Sequence, residues 1–406
     1  MRRLFDRYFK DLPKEVIALT GVSFSVALGF GIVAPVIPVF AKSFHVSALQ
    51  ASAVISVFAF MRFASATPSG WLVNKFGERA VLWVGLSIVG VSSALAGLSQ
   101  SYEQLLVLRG LGGTGSSMFT VSAMSLLLRV VNAEHRGRAS STYQSGFLLG
   151  GLAGPAVGGL VVAASIRAPF FVYSGTLTMA ACVAYFALPK GLGHPDHDDN
   201  RGPAEPHMPL RAALKLREYW ATLSFNVTAG MTTFGMRTAL LPIFVIEVLH
   251  KSPAVSSMGF LASSIAQAAL LLPAGRMTDV RGRKPTLLLG AFLLTFAMLV
   301  IVYHESLAQF YIYMALVGAS MAFLGAGASS VIGDIVAGRK GGPVVSTYQM
   351  MSDFGIIIGP LVMGYLRDVT NGFQMPFIVA LVITVMFLVM VIQMPETKTR
   401  QYTRVD

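Results

Sequence analysis

Apolar residues run along this chain in stretches too long for a water-soluble core. Runs of spanning length, about 20 residues for ~30 Å of hydrocarbon, fall near 16–40, 49–72, 80–99, 104–128, 140–163 and 169–188. A second set falls near 218–248, 255–275, 285–303, 307–334, 344–366 and 373–394. The pattern predicts an all-α membrane protein of twelve transmembrane helices, arranged as two six-helix bundles. Residues 189–217 separate the sets and, being rich in Pro, Gly, His and charge, read as a flexible cytoplasmic linker. The expected organisation is therefore 1–188, then the linker 189–217, then 218–406 with a short cytoplasmic tail. The basic opening Met1-Arg-Arg-Leu-Phe-Asp-Arg leads into the first run without a small-residue cleavage pattern, so a retained first helix is expected.

Within the fifth run, Gly146, Gly150, Gly154 and Gly158 recur every fourth residue around Pro155. Glycine costs roughly 1 kcal/mol and proline about 3 kcal/mol in a soluble helix interior, so propensity does not hold this segment helical. In a membrane the absence of water does, and neighbouring helices re-satisfy the group that proline frees. The four glycines form a flat stripe where a second backbone can approach closely.

Composition agrees: 54% of residues are hydrophobic and 12% charged, against about 25% charged in soluble domains, and the mean hydropathy is +0.66. The formal charge of +12 first suggests nucleic acid, but its distribution excludes that partner. With a cytoplasmic N-terminus, twenty-four of the 31 Lys and Arg fall in inner segments, and only Lys42, Arg167, Lys251 and Arg367 fall in outer loops. This bias places both termini inside; Arg62, Arg109 and Arg237 remain within spans. The expected location is a bacterial inner (plasma) membrane. Cys182 is the only cysteine, so no disulfide framework or Cys-based metal site is available, and it reads as a small packing residue. The linker residues His194, His197, His207, Asp196, Asp198 and Asp199 lack a rigid element to present them to a metal.

The two sets are also a repeat. A shift of 205 residues places Gly70 on Gly275, Gly77 on Gly282, Ser141-Thr-Tyr-Gln144 on Ser346-Thr-Tyr-Gln349, and Gly154-Pro155 on Gly359-Pro360, without a gap. Duplicated halves with a site near the midplane are one transporter architecture.

On these motifs the chain resembles a major facilitator superfamily transporter of the twelve-helix drug:proton antiporter branch. Gly70-Trp-Leu-Val-Asn74-Lys-Phe-Gly77-Glu-Arg79 resembles the superfamily's G-x-L-x-D-x-x-G-R-[RK] loop. Its repeat Gly275-Arg-Met-Thr-Asp279-Val-Arg-Gly282-Arg283-Lys284 matches more fully. The glycines are expected to form a tight turn, and the acid to accept bonds from a neighbouring helix start or to pair with a cation. The resemblance makes Gly70, Asn74, Gly77, Arg79, Asp279, Gly282, Arg283 and Lys284 cytoplasmic gating residues. Asn74 removes the charge from the first copy, and the plainer alternative is that the basic residues only anchor the loops. Arg109-Gly-Leu-Gly112 resembles an R-x-x-Q-G motif whose arginine helps couple proton movement, although Gln is replaced; alternatively Arg109 snorkels to the outer interface. Gly150, Gly154, Pro155, Gly158 and Gly159 resemble the G-x-x-x-G-P-x-x-G-G pattern of antiporters, which implies export.

Proton coupling needs a carboxyl that alternates between charged and neutral. The first span, past Glu15, contains none, and Asp353 is the acid nearest a span centre; it is the expected proton site, the resemblance implies that Arg109 helps couple proton movement to conformational change, and Arg62 or Arg237 could pair with Asp353. Asp334 and Glu247 lie near span ends and are expected to be interfacial or gating. Arg62, Arg237, Asn226, Tyr143, Gln144 and Gln349 are candidates for the substrate cavity. A structural pair between Arg237 and Asp353 is the alternative, as are helix-to-helix hydrogen bonds for the polar residues. Three span arginines against one central acid favour an anionic, zwitterionic or neutral amphipathic substrate over a purely cationic one. No G-x-x-x-x-G-K-[ST] loop suggests ATP drive. The expectation is thus not an enzyme but a monomeric secondary exporter with a small-molecule substrate, protons and the bilayer as partners. It needs no cofactor or metal and takes its energy from a proton gradient. Proton-coupled metabolite uptake, and flipping of a lipid or lipid conjugate on the same fold, are the competing readings.

Overall fold

The computed structural model describes residues 13–131, 136–188, 208–303, 306–336 and 342–398. Among the described residues there is no β-strand. The helices are α1 Lys14–Val33, α2 Ile37–Lys42, α3 Ala48–Ala64, α4 Ala66–Phe76, α5 Glu78–Leu98, α6 Tyr102–Val130, α7 Arg136–Ala164 and α8 Ala168–Ala187. After them come α9 Leu210–Ala213, α10 Arg217–Ala229, a π-helical segment Gly230–Leu240, α11 Leu241–Glu247, α12 Pro253–Val280, α13 Arg283–Tyr303, α14 Leu307–Val336, α15 Gly342–Thr370 and α16 Gln374–Gln393. Ten of the resulting rods are long and apolar enough to cross a membrane, and the pair α3–α4, bent by 47°, makes up to eleven. The helix α6, long enough to span, carries Glu103, Arg109 and Arg129 and falls outside that set. Exposed Leu160, Phe186 and Leu272 present the apolar outer faces that lipid requires. Cys182 is exposed rather than packed; on such an apolar outward face a small thiol meets no penalty.

Chain contacts divide the protein into two compact units, Met1–Phe44 with Val57–His197, and His45–Ser56 with Asp198–Asp406. Residues 189–207 of the linker, with the histidine and aspartate cluster, lie outside the described residues, as does the tail beyond 398; the end of the expected linker is not all flexible, since the short helix α9 lies within it. Residues 45–56 join the second unit through Asp368, which accepts the amides of Ala48 (2.9 Å) and Leu49 (2.7 Å). A carboxylate there satisfies orphan donors and complements the helix dipole of α3.

In the first unit the glycine stripe of α7 lies against the backbone of α1. A Cβ on Gly150 would come 2.7 Å from the Leu28 nitrogen, one on Gly154 2.6 Å from the Leu28 oxygen, and one on Gly158 3.1 Å from Ile32 Cα. The second unit repeats the seam: a Cβ on Gly355 would lie 3.0 Å from Gly230 Cα, and one on Gly235 2.8 Å from the Gly359 carbonyl. Both seams are also tied by polar groups. Ser23 Oγ donates to the Tyr143 carbonyl (3.0 Å), and Asn226 Nδ2 to the Tyr348 carbonyl (2.7 Å). Tyr143 and Tyr348 are the repeated tyrosines of Ser-Thr-Tyr-Gln.

The seventh span is not a uniform α-helix. It widens into π geometry over Gly230–Leu240, immediately before Pro242. Proline supplies no amide and crowds the carbonyl four residues earlier, and a wider turn is one way a helix absorbs both defects. Thr238 Oγ1 donates to the Thr233 carbonyl five residues back (2.9 Å), which follows the widened ladder.

Candidate functional site

Each of the two units carries the same device, in opposite polarity. The tight turns lie at Gly77 and Gly282, with φ of 82° and 109°, a backbone region that a side chain rarely tolerates. The other loop glycines, Gly70 and Gly275, sit inside α4 and α12 with open space around them; the expectation that they too shape the turn is corrected. Beyond Gly77, Glu78 at the start of α5 accepts Arg129 Nη1 at 2.8 and 2.9 Å, while Ser125 Oγ donates to it at 3.2 Å. Beyond Gly282, Arg283 at the start of α13 donates Nε and Nη2 to Asp334 at 2.8 and 3.0 Å and Nη1 to the Thr278 carbonyl at 3.1 Å. The 205-residue shift places Glu78 on Arg283 and Arg129 on Asp334. The ion pair keeps its position between the halves and is reversed in charge.

Sequence reasoning assigned Arg283 a gating role but missed Glu78 and Arg129. The first-half acid lies four positions after Asn74, and Asn74 itself is exposed. Asp279 is exposed as well, and the helix-capping role expected of it belongs to Glu396. That carboxylate follows α16 and accepts the amides of Arg283 (2.9 Å) and Lys284 (3.0 Å), together with those of Thr397 and Lys398. Thr397 Oγ1 also donates to Asp334 (2.8 Å) and Lys398 Nζ to the Val280 carbonyl (2.8 Å), so the segment after α16 straps the turn. Arg79 donates to the Tyr185 carbonyl and lies over its ring at 4.9 Å, which ties α5 to α8.

Burial by itself would raise the Glu396 carboxyl, but the backbone donors of Lys398, Arg283, Lys284 and Thr397 outweigh it and hold the group below its ordinary 4.5. A carboxylate depressed on folding contributes stability that is present above its unfolded value and is lost as pH falls through the folded one. Acidification past about 4.5 is therefore expected to lower the thermal stability of the purified protein, and Glu396→Gln to flatten that dependence. Detergent unfolding curves over that range decide it; parallel curves for the two proteins exclude the strap as a contributor.

The intramembrane candidates fall into distinct places. Arg109 on α6 is 3% exposed and its guanidinium lies 4.5 Å over the Phe58 ring, so it does not snorkel to an interface. Arg62 and Asp353 are half-buried, and each is engaged with another group. Asp353 sits two residues before Gly355, the glycine that meets α10 and the π segment. Arg237 does not pair with Asp353: its Nη1 donates to Ser263 Oγ (3.0 Å) and its guanidinium lies 5.0 Å over Phe260. Tyr143 and Asn226 are buried in the seams described above, whereas Gln144 and Gln349 are exposed on α7 and α15. Glu247 pairs with Arg367 at 2.5 Å. Among the described residues no group of His, Cys, Asp and Glu is arranged to hold a metal ion.

Duplicated apolar bundles with mirrored turns and seams define a polytopic membrane transporter. The profile of the Major Facilitator Superfamily matches residues 19–263 and 223–404, and the chain belongs to that superfamily. Among its relatives, Multidrug resistance protein 1 of Bacillus subtilis (strain 168) is 24% identical over 250 residues, which are 62% of this chain and 60% of that protein. Quinolone resistance protein NorA of Staphylococcus aureus is 24% identical over 242 residues, 56% of this chain and 59% of that one. The chain thus spans about six-tenths of the length of these curated relatives. An uncharacterised transporter of the same superfamily type from Methanocaldococcus jannaschii is 22% identical over 362 residues, 88% of this chain and 92% of that one. A solved bacterial homolog to the human lysosomal transporter Spinster, inward-facing and occupied, superposes with a TM-score of 0.75 at 14% identity, covering 93% of this chain and 95% of that one. That likeness shows the fold.

Proposed function

We propose that the protein is a secondary exporter in a bacterial plasma membrane, both termini cytoplasmic, that exchanges an inward proton for an outward small amphipathic molecule by alternating access. The observation that carries the reading is the glycine seam. The residues resembling the antiporter pattern, Gly150, Gly154, Pro155 and Gly158, form a backbone-to-backbone contact of α7 with α1, and the second unit copies it. The multidrug-resistance and quinolone-resistance names of the relatives support a drug-like substrate. Asp353 is the proposed proton carrier, Arg109 helps couple proton movement to conformational change, and the ion pairs beside Gly77 and Gly282 are the cytoplasmic latches. A proton gradient supplies the energy, and a monomer in the bilayer suffices.

Proteoliposomes containing the full chain and loaded with a fluorescent amphipathic drug test the reading. An imposed pH gradient is expected to drive drug and proton in opposite directions. Movement of both in the same direction supports uptake instead, and drug movement indifferent to the gradient supports the flippase alternative.

A further inference from the structure

In the second unit, hydrogen-bond donors gather around Arg237 without an acid to receive them. Arg237 Nε is buried with no partner, and among the described residues no carboxylate pairs with this guanidinium. The Tyr313 hydroxyl on α14 lies within electrostatic reach of Arg237 and is also buried without a partner. On α12, Phe260 under the guanidinium and Ser263 bonded to it share a face with Ser256, since these positions are four and three residues apart. The hydroxyls of Ser256 and its neighbour Ser257 are again buried and unpartnered. Arg237 itself lies in the π-helical segment, and departures from α geometry in helices concentrate at functional sites.

Leaving a buried polar group unsatisfied costs about 1–3 kcal/mol, more for a charge. A fixed cation with surplus hydroxyl donors is satisfied by an acceptor of negative charge. The guanidinium fork, with two parallel N–H directions, matches a planar carboxylate. Arg109 is sealed at 3% exposure; Arg237 is only half-buried, so a molecule can reach it.

We infer that Arg237, with Tyr313 and the α12 serines, is the subsite for a carboxylate on the transported molecule, which makes an amphipathic acid or zwitterion the preferred substrate class. This rests on the exporter reading and names its substrate. The probes are a zwitterionic quinolone carboxylate, its methyl ester and the cation ethidium, each followed in proteoliposomes and in thermal unfolding of the purified full chain.

Arg237→Gln is expected to slow transport of the carboxylate by about tenfold or more, because a site built for a polar group discriminates strongly, while ester and ethidium change by less than about twofold. Arg237→Lys is expected to restore part of the loss. Tyr313→Phe, which removes only an oxygen, is expected to weaken carboxylate binding by a few fold. Equal loss for all three probes, or none for the carboxylate, overturns the subsite and leaves the cluster as a place for internal water. Gradient-driven ethidium transport with no effect of Arg237 on the acid sinks this inference alone. If no probe responds to a pH gradient, the antiport reading fails, and the subsite is judged on whether the carboxylate stabilises the unmodified protein more than Arg237→Gln; equal shifts, or none, reject it.

Discussion

Asp353→Asn is expected to reduce pH-gradient-driven efflux to the leak of protein-free liposomes while leaving substrate exchange at equal pH intact. The amide has nearly the shape of the protonated acid and fixes the neutral state. A carrier that cannot change charge still binds and reorients, but it moves no proton, so the gradient loses its grip on the substrate. Asp353 also has a structural route to conformation. It lies on α15 two residues before Gly355, where an added Cβ would fall 2.9 Å from the Asn226 carbonyl oxygen and 3.0 Å from Gly230 Cα. A change of charge there acts where the backbones of two helices touch and where small shifts are not absorbed by flexible side chains. Asp353→Glu is expected to retain coupling with an altered pH profile. The decisive measurement compares counterflow with gradient-driven uptake in the same vesicles. Full coupling in Asp353→Asn removes this residue from the proton path, and loss of both activities marks it as structural.

The first half offers no substitute, because the 205-residue shift puts Leu148 where the second half has Asp353. The seam is thus symmetric in backbone and asymmetric in chemistry. That asymmetry was legible in the sequence, as were the spans, the duplication and the two turn glycines, because each is a matter of periodicity or of a glycine at a fixed offset. The π segment was not. It depends on how the ladder around Pro242 settles against a glycine-lined neighbour, and composition does not state that. Nor did the sequence announce Glu396, since its counterpart one repeat back falls in the linker and no internal copy marks it. The reversed ion pair was available: the shift that aligned the glycines also aligned Glu78 with Arg283 and Arg129 with Asp334. Matching identical residues passes over it, because an ion pair is preserved when both of its charges invert.

The inversion has unequal consequences in the two halves. Arg129→Leu leaves the Glu78 carboxylate, 8% exposed, with Ser125 as its hydrogen-bond donor, and stranding a buried charge costs about 3 kcal/mol. Arg129 is itself 26% exposed, so solvent recovers part of this, and about 2 kcal/mol is expected, seen as a fall of several degrees in detergent unfolding temperature. The double variant Glu78→Arg with Arg129→Asp installs the polarity of the second half and is expected to recover most of the loss. It falls short by roughly 1 kcal/mol, because a cation now stands at the start of α5 and an anion at the end of α6, both against the helix dipoles. The second half tolerates that polarity because Glu396 supplies the missing negative charge to the first amides of α13. Reversing the second pair instead, Arg283→Glu with Asp334→Arg, is expected to fail outright. The carboxylate introduced at position 283 would face the Thr278 carbonyl and the Glu396 carboxylate, and the guanidinium introduced at position 334 would meet the Thr397 hydroxyl that now donates to Asp334. Equal recovery in both halves would falsify the role given to Glu396, and no recovery in the first would show that Glu78 and Arg129 are held by something other than their mutual charge.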